Sequence, residues 1–180
     1  MKNENYPAAR AAFDRVAPGH PDYIFAQHSL AIAYVHVPSL EQAAQALQRC
    51  LQEPTETEAQ KEISNRSALL LGLLYYEQQA LSQAVGALRL VPQGTYHYDE
   101  ALLGMGWTAL KARQWNDCIS AGRELAARAD YAELRADGLL LQGYAYLVQK
   151  DHLNAARVLD QALEIARTLV VPAADRVLAH

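Results

Sequence analysis

Residues 69–88, LLLGLLYYEQQALSQAVGAL, decide how the whole chain reads. Two apolar helical runs flank the polar EQQ of residues 77–79, with Gly72 in the first run and Ala84 in the second. Two helices approach closely only where both present small side chains, so Gly72 and Ala84 mark the crossing point of an antiparallel pair. Tyr75 and Leu88 fill the space around it.

The same spacing recurs. Ala31, Gly106 and Gly143 also lie in apolar helical runs, and twelve residues after each comes Ala43, Cys118 or Ala155. Three residues after the four markers stand Tyr34, Tyr75, Ala109 and Tyr146; sixteen after, Leu47, Leu88, Gly122 and Leu159; nineteen after, Cys50, Val91, Leu125 and Ala162. The markers are 41, 34 and 37 residues apart, which brackets the roughly 34-residue period of helix-turn-helix repeats. The seven extra residues of the 41-residue spacing equal two helical turns and are assigned to a lengthened first helix, PTETEAQKEISNRSALLLGLLYY. In the third repeat a frame on Gly104 and Trp107 would put Asn116, Ser120 and Arg123 in buried slots, so Gly106 is the better marker.

YPAARAAFDRVAPGHPDY, residues 6–23, then falls into place. Ala9, Phe13 and Val16 occupy second-helix slots, and Ala9 precedes Ala31 by 22 residues, the distance from one second helix to the next first helix. The stretch reads as the second half of a repeat whose first half lies upstream, and a fragment of a longer protein is expected.

The pattern predicts helices over 6–17, 21–37, 39–52, 56–78, 80–91, 97–112, 114–128, 131–149, 152–170 and 172–179, with no strand. Pro38 should end one helix and Ser39, with Gln42 three residues on, should start the next; Thr55 with Glu58 suggests a capping box, and Asp151 a cap near His152. Pro172 should stop the long last helix. The acids of EPTETEAQKE read as a solvated helix start, where negative charge suits the macrodipole.

Composition narrows the function classes. The chain has 180 residues, 51% apolar and 20% charged, enough for one domain with a sizeable core and no staple. A net charge of −4 with mixed signs leaves no footprint for nucleic acid or an anionic membrane surface. There is no apolar run long enough to insert in a membrane, and MKNENYPAAR lacks a signal-peptide core. Cys50 and Cys118 are far apart, sit in apolar runs and read as buried free thiols. His28 and His36 share a helix face but stand eight residues, roughly 12 Å, apart, too far for one metal ion. His20 and His97 fall in turn-like stretches and need only local hydrogen bonds. Gly-rich phosphate loops, HExxH, GxSxG and CxxC are missing, so no catalytic residue, metal or cofactor is expected.

These stretches, together with LQGYAYLVQKDHLNAARVLDQAL (141–163) and the more degenerate LLGMGWTALKARQWNDCISAGREL (102–125), resemble the tetratricopeptide repeat (TPR) family over nearly the whole chain. The resemblance implies an all-α, right-handed superhelical solenoid of antiparallel helix pairs in one domain. It would comprise about four and a half repeats: 6–20 as the truncated half, pairs at 21–53, 54–94, 95–129 and 130–170, and a cap at 171–180. It also implies that first helices line a concave wall. The residues one, four and five after each marker, and three and six before it, then give Phe25, His28, Ile32, Val35 and His36; Arg66, Leu69, Leu73, Tyr76 and Glu77; Glu100, Leu103, Trp107, Leu110 and Lys111; and Asp137, Leu140, Tyr144, Leu147 and Val148.

This wall is apolar. TPR adaptors that clamp a terminal carboxylate need fixed Lys, Asn and Arg donors, whereas the matching places here hold His28, Ile32, Leu69 and Leu70, with Arg66 the single matching cation. Part of the stripe reads as structural floor, but Trp107, Tyr76 and Tyr144 are the rigid amphipathic type enriched in interface hot spots. The expected function is a non-catalytic scaffold taking an apolar segment of a protein partner. A homo-oligomerisation module and a regulatory domain of a larger protein are the rivals. YHYDEALLGMGWTAL and LLLGLLYYEQQ are similar to repeats of bacterial cell-envelope TPR proteins, which implies a periplasmic or outer-membrane-associated home and a role in assembly or docking.

Overall fold

In the computed structural model the backbone is described for residues 6–36 and 39–177, and side chains for 7–36 and 39–169. Within these, all regular structure is helical: α1 (Tyr6–Phe13), α2 (Tyr23–His36), α3 (Leu40–Gln52), α4 (Glu58–Glu77), α5 (Leu81–Leu88), α6 (Tyr98–Lys111), α7 (Trp115–Arg128), α8 (Ala132–Val148) and α9 (His152–Val177). The helices fall into two compact units, residues 1–97 and 98–180. In the first, α2 pairs with α3 and α4 with α5; in the second, α6 pairs with α7 and α8 with α9.

The small-residue frame describes the core. Ala31, Ala43, Leu47, Cys50, Ala84, Leu88, Cys118 and Leu125 are all fully buried. A Cβ on Gly72 would stand 2.5 Å from Leu88 Cγ and 3.3 Å from the Ala84 carbonyl oxygen, and one on Gly143 would stand 2.5 Å from Leu159 Cδ2. Gly72 and Gly143 are therefore sockets, each filled by the leucine sixteen residues on. The Gly106 frame holds too: Asn116, Ser120 and Arg123 are exposed.

The third pair fills its socket differently. Position 122 is glycine where the other pairs carry leucine, so α7 has no leucine to put into the Gly106 socket. Leu141 of α8 takes the place instead, and a Cβ on Gly106 would run into its Cδ1. This draws α8 against α7, where Gly122 meets Gly138: a Cβ on either would come within 2.5 or 2.6 Å of the other's carbonyl oxygen.

The turns inside the pairs repeat as well. Seven residues after Gly72, Gly106 and Gly143 come Gln79, Arg113 and Lys150, with φ of 63°, 60° and 61°. The next amide closes back on the carbonyl three after the marker: Ala80 on Tyr75 (2.9 Å), Gln114 on Ala109 (2.8 Å) and Asp151 on Tyr146 (2.9 Å). These are the long bonds of Schellman-type helix ends. Ser39 makes the same bond to Tyr34 (3.0 Å); Pro38, the expected stop there, lies outside the described residues.

Several helix ends depart from expectation; α5, for one, ends at Leu88 rather than 91. The capping box is Thr57 with Gln60, not Thr55 with Glu58: Gln60 N–H donates to Thr57 Oγ1 (3.2 Å) and Thr57 N–H to Gln60 Oε1 (3.0 Å). Thr57 stands directly before the first helical residue, which its hydroxyl must do to reach the N3 amide. α1 ends at Phe13 rather than 17, and its last bonds tighten, Val16 N–H reaching Phe13 O (3.0 Å), because Pro18 disfavours helical geometry at residue 17. α9 runs through Pro172 to Val177, so 152–170 and 172–177 are one helix. Proline has a helical φ of its own, so the helix can continue through it at the cost of its amide bond and of crowding against the preceding turn. Residues 178–180 of the expected cap lie outside the described residues.

Other sequence cues hold. Asp151 accepts the Asn154 amide N–H (3.2 Å) and side-chain Nδ2 (2.7 Å), and these bonds hold its carboxyl below the usual range. The two extra turns lengthen α4 to 20 residues against 14 in α2 and α6. From that extension Glu62 Oε1 meets His97 Nε2 at 2.8 Å, so His97 is tied to a residue 35 positions away rather than locally. His20 does act locally, its Nδ1 accepting from Asp22 N–H (3.1 Å).

Candidate functional site

Within each unit the two first helices pack side by side, α2 against α4 and α6 against α8, so the predicted wall residues of a unit lie on neighbouring helices. In the first unit Ile32 (36% exposed) and Leu73 (42%) face solvent, beside exposed Arg66 and half-buried Phe25 and Tyr76. Tyr76 packs on the core cluster containing Leu74 and Leu71.

His28 and Leu69 belong to the floor. Both are buried, and His28 Nδ1 is 2.8 Å from Ser67 Oγ, which in turn is 3.1 Å from Cys50 Sγ. His28 is thus corrected from wall to core: its ring turns toward α4, where the Ser67 hydroxyl supplies the partner a buried imidazole needs. Burial, aided by the Arg66 charge, lowers its pKa to about 4, and burial raises the Cys50 thiol to about 11. A serine between a histidine and a cysteine has the composition of a nucleophile site, but Ser67 and Cys50 are wholly inaccessible and the thiol is held protonated. The triplet is a satisfied polar link joining α2, α3 and α4. Cys118 is likewise buried, with its thiol raised to about 11 by burial.

The second unit carries the better-formed patch. Trp107 of α6 and Tyr144 of α8 meet with ring centroids 5.9 Å apart at 47°. Trp107 and Leu103 are anchored on the cluster of Ala109, Ile119, Leu141 and Ala145, and Leu140 on that of Leu139, Val158 and Ala162. Tyr144 (45%), Leu147 (43%) and Val148 (55%) remain exposed. Lys111 stands exposed in the last turn of α6, and Asp137, one turn before Leu140, has its carboxyl raised by burial and by Glu133.

The start of α6 is fixed from α7: Tyr98 OH donates to Glu124 Oε1 (3.1 Å), and the Arg128 guanidinium lies 4.4 Å over the Tyr98 ring. Together with Leu141 in the Gly106 socket, this sets which face of α6 Trp107 presents. The aromatic pair follows from that register: Leu141 locks α8 to α6, and Tyr144 lies one turn further along α8. Among the described residues no three His, Cys, Asp or Glu side chains gather where a metal could sit, and no helix is long and apolar enough to cross a membrane.

Helix pairs meeting at small residues and stacking first helix on first helix define the tetratricopeptide-repeat fold, and solved structures agree. MamA matches with a TM-score of 0.73 at 16% identity over 92% of this chain and 91% of that one. YrrB, described as a TPR protein with an unusual peptide-binding site, matches with 0.71 at 17% identity over 94% and 84%. Kinesin light chain TPR-like repeats from Podospora anserina match with 0.69 at 15% identity over 91% and 84%. No family model and no curated protein sequence matches the chain.

Proposed function

We propose that this chain is a non-catalytic protein-interaction scaffold whose first-helix patches take an apolar segment of a partner protein during assembly or docking of a larger complex. The observation that carries this reading is the Trp107–Tyr144 pair, anchored below by core and flanked above by exposed Leu147 and Val148. Rigid aromatics held in place from beneath give contact area without an ordering cost. The peptide-binding site of YrrB, a protein of the same fold, is consistent with it. The absence of a carboxylate clamp favours an internal apolar helix or extended stretch over a terminal carboxylate as the bound element. The cell-envelope resemblance favours a periplasmic or outer-membrane-associated partner, and the net charge of −4 argues against nucleic acid.

Cross-linking capture from the native cell, followed by titration of the recovered partner, tests it. Trp107→Ala with Tyr144→Ala should weaken binding by about 30-fold or more, the loss of about 2 kcal/mol at a hot spot. Unchanged affinity would remove the patch from the interface. One observation supports self-association as a second reading: α9 exposes Leu153 (83%), Leu163 (49%) and Leu169 (38%). Light scattering that shows only monomer at high concentration would exclude it.

A further inference from the structure

A cleft of about 600 Å³ lies in the second unit on another side of α8. Arg123 of α7 forms one wall, Arg157 and Glu164 of α9 the other, and Leu139, Gln142 and Val158 the floor. At 3.6 residues per turn, Leu139 and Gln142 stand roughly 100° and 160° round the helix from Leu140. Cleft and aromatic patch therefore share a helix without sharing a surface.

The chemistry of the cleft is amphipathic with a local reversal of charge. Leu139 and Val158 are buried apolar side chains, and Gln142, also buried, donates one amide hydrogen to the Gly138 carbonyl (3.2 Å). Among the described residues Arg123 makes no hydrogen bond or ion pair, and Arg157 donates only to the Asn154 side-chain oxygen (3.3 Å). The one lining carboxylate, Glu164, is paired with Arg167 at 3.5 Å. A chain of net charge −4 thus presents, on opposite walls of a single apolar-floored cleft, two guanidiniums that form no direct ion pair; Arg157 acts on the Asp151 carboxyl only at a distance, through Asn154, and helps to hold it low.

We propose that this cleft is a second docking site, taking an acidic peptide segment with an aliphatic side chain between its carboxylates. Each guanidinium would donate two hydrogen bonds to a carboxylate, which Arg does better than Lys, and the aliphatic side chain would lie on Leu139 and Val158. The volume suits a ligand of a few residues. Charge complementarity with an apolar anchor favours a peptide over a free inorganic anion, which would leave the floor uncovered.

Fluorescence anisotropy on the full chain tests this with a fluorescein-labelled Glu-Asp-Leu-Glu-Leu-Asp peptide and its amide counterpart, Gln-Asn-Leu-Gln-Leu-Asn. The acidic peptide should bind saturably and more weakly as salt is raised, and Arg123→Glu with Arg157→Glu should weaken it by about tenfold or more. Both arginines are exposed, so charge reversal should leave the helical dichroism intact; Arg123→Gln with Arg157→Gln gives the same loss in milder form. Trp107→Ala with Tyr144→Ala should leave this binding unchanged. The proposal is overturned by any of four results: no saturable binding, equal binding of the amide peptide, unchanged affinity after charge reversal, or loss in the aromatic variant.

Discussion

Replacing Gly122 by alanine should destabilise the fold, as should the same change at Gly138 across the seam, because each added Cβ meets backbone. A Cβ at residue 122 would lie 2.5 Å from the Gly138 carbonyl oxygen, 3.1 Å from Gln142 Cγ and 3.2 Å from Leu141 Cβ, whereas ordinary contact begins at 3.4 Å. The nearest obstacle is backbone, so α7 and α8 must separate by about 1 Å, which forfeits up to about half of the dispersion well of each contact along the seam. Overpacking of this kind costs about 1–3 kcal/mol, and the upper end applies where no side chain can swing aside. Alanine returns about 1 kcal/mol through helix propensity, leaving a net loss of about 2 kcal/mol. For a chain of this size that is a fall of roughly 4–8 °C in Tm.

Two controls bracket the result. Gly86 lies exposed in α5 with nothing within 4 Å of a Cβ, so Gly86→Ala should gain up to about 1 kcal/mol. Gly143→Ala meets only the Leu159 side chain, which is half-buried and can rotate, so it should fall between. Thermal melts followed by far-UV circular dichroism give the order. A Gly122→Ala protein as stable as the parent would show that α7 and α8 do not cross at these glycines.

Acid should weaken the fold through His28, because its folded pKa of about 4 lies below the unfolded value of 6.5. Over that interval the unfolded chain binds the extra proton, so the stabilising effect is full above pH 6.5 and is lost as pH falls toward 4, on the order of 3 kcal/mol in all. Urea melts of His28→Gln should show a shallower decline than the parent across this window, and parallel curves would contradict the assignment. The left-handed residues Gln79, Arg113 and Lys150 should each gain about 0.5–1 kcal/mol on replacement by glycine, which takes positive φ without a Cβ penalty. A triple glycine variant melting no higher than the parent would argue against that turn geometry.

Much of the fold was legible because the repeat is written in residue size. Glycine and alanine at fixed separations predict contacts directly, and Gly72 with Leu88 and Gly143 with Leu159 meet as their spacing requires. Helix ends were less legible, since two neighbouring threonines offer the same capping chemistry and only the chain's path selects Thr57 over Thr55. His28 misled for a related reason: its offset from the marker gives a helix face, but whether that face opens to solvent depends on what α4 brings opposite. Ser67 decided that, and a hydroxyl in an apolar run is an equally ordinary feature of an exposed face. The cleft between α7 and α9 left no mark in the sequence, because Arg123 and Arg157 lie on different helices and become partners only when α8 sets those helices apart.

The third repeat shows why a degenerate motif need not be a defect. Its leucine slot is Gly122, and taken alone the pair α6–α7 would have an empty socket at Gly106. A void lined by buried side chains costs stability in proportion to its volume, so the socket has to be filled from elsewhere. Leu141 fills it from the next helix, and that substitution of donors has geometric consequences. It ties α8 to α6 directly, while the absence of a side chain at Gly122 lets α8 approach α7 until Gly138 is in contact. Tyr144, one turn beyond Leu141, is carried to Trp107 by the same movement. The glycine that breaks the motif is therefore the residue that builds the aromatic patch. A leucine restored at position 122 would make the sequence a better repeat while displacing α8 and parting the two rings.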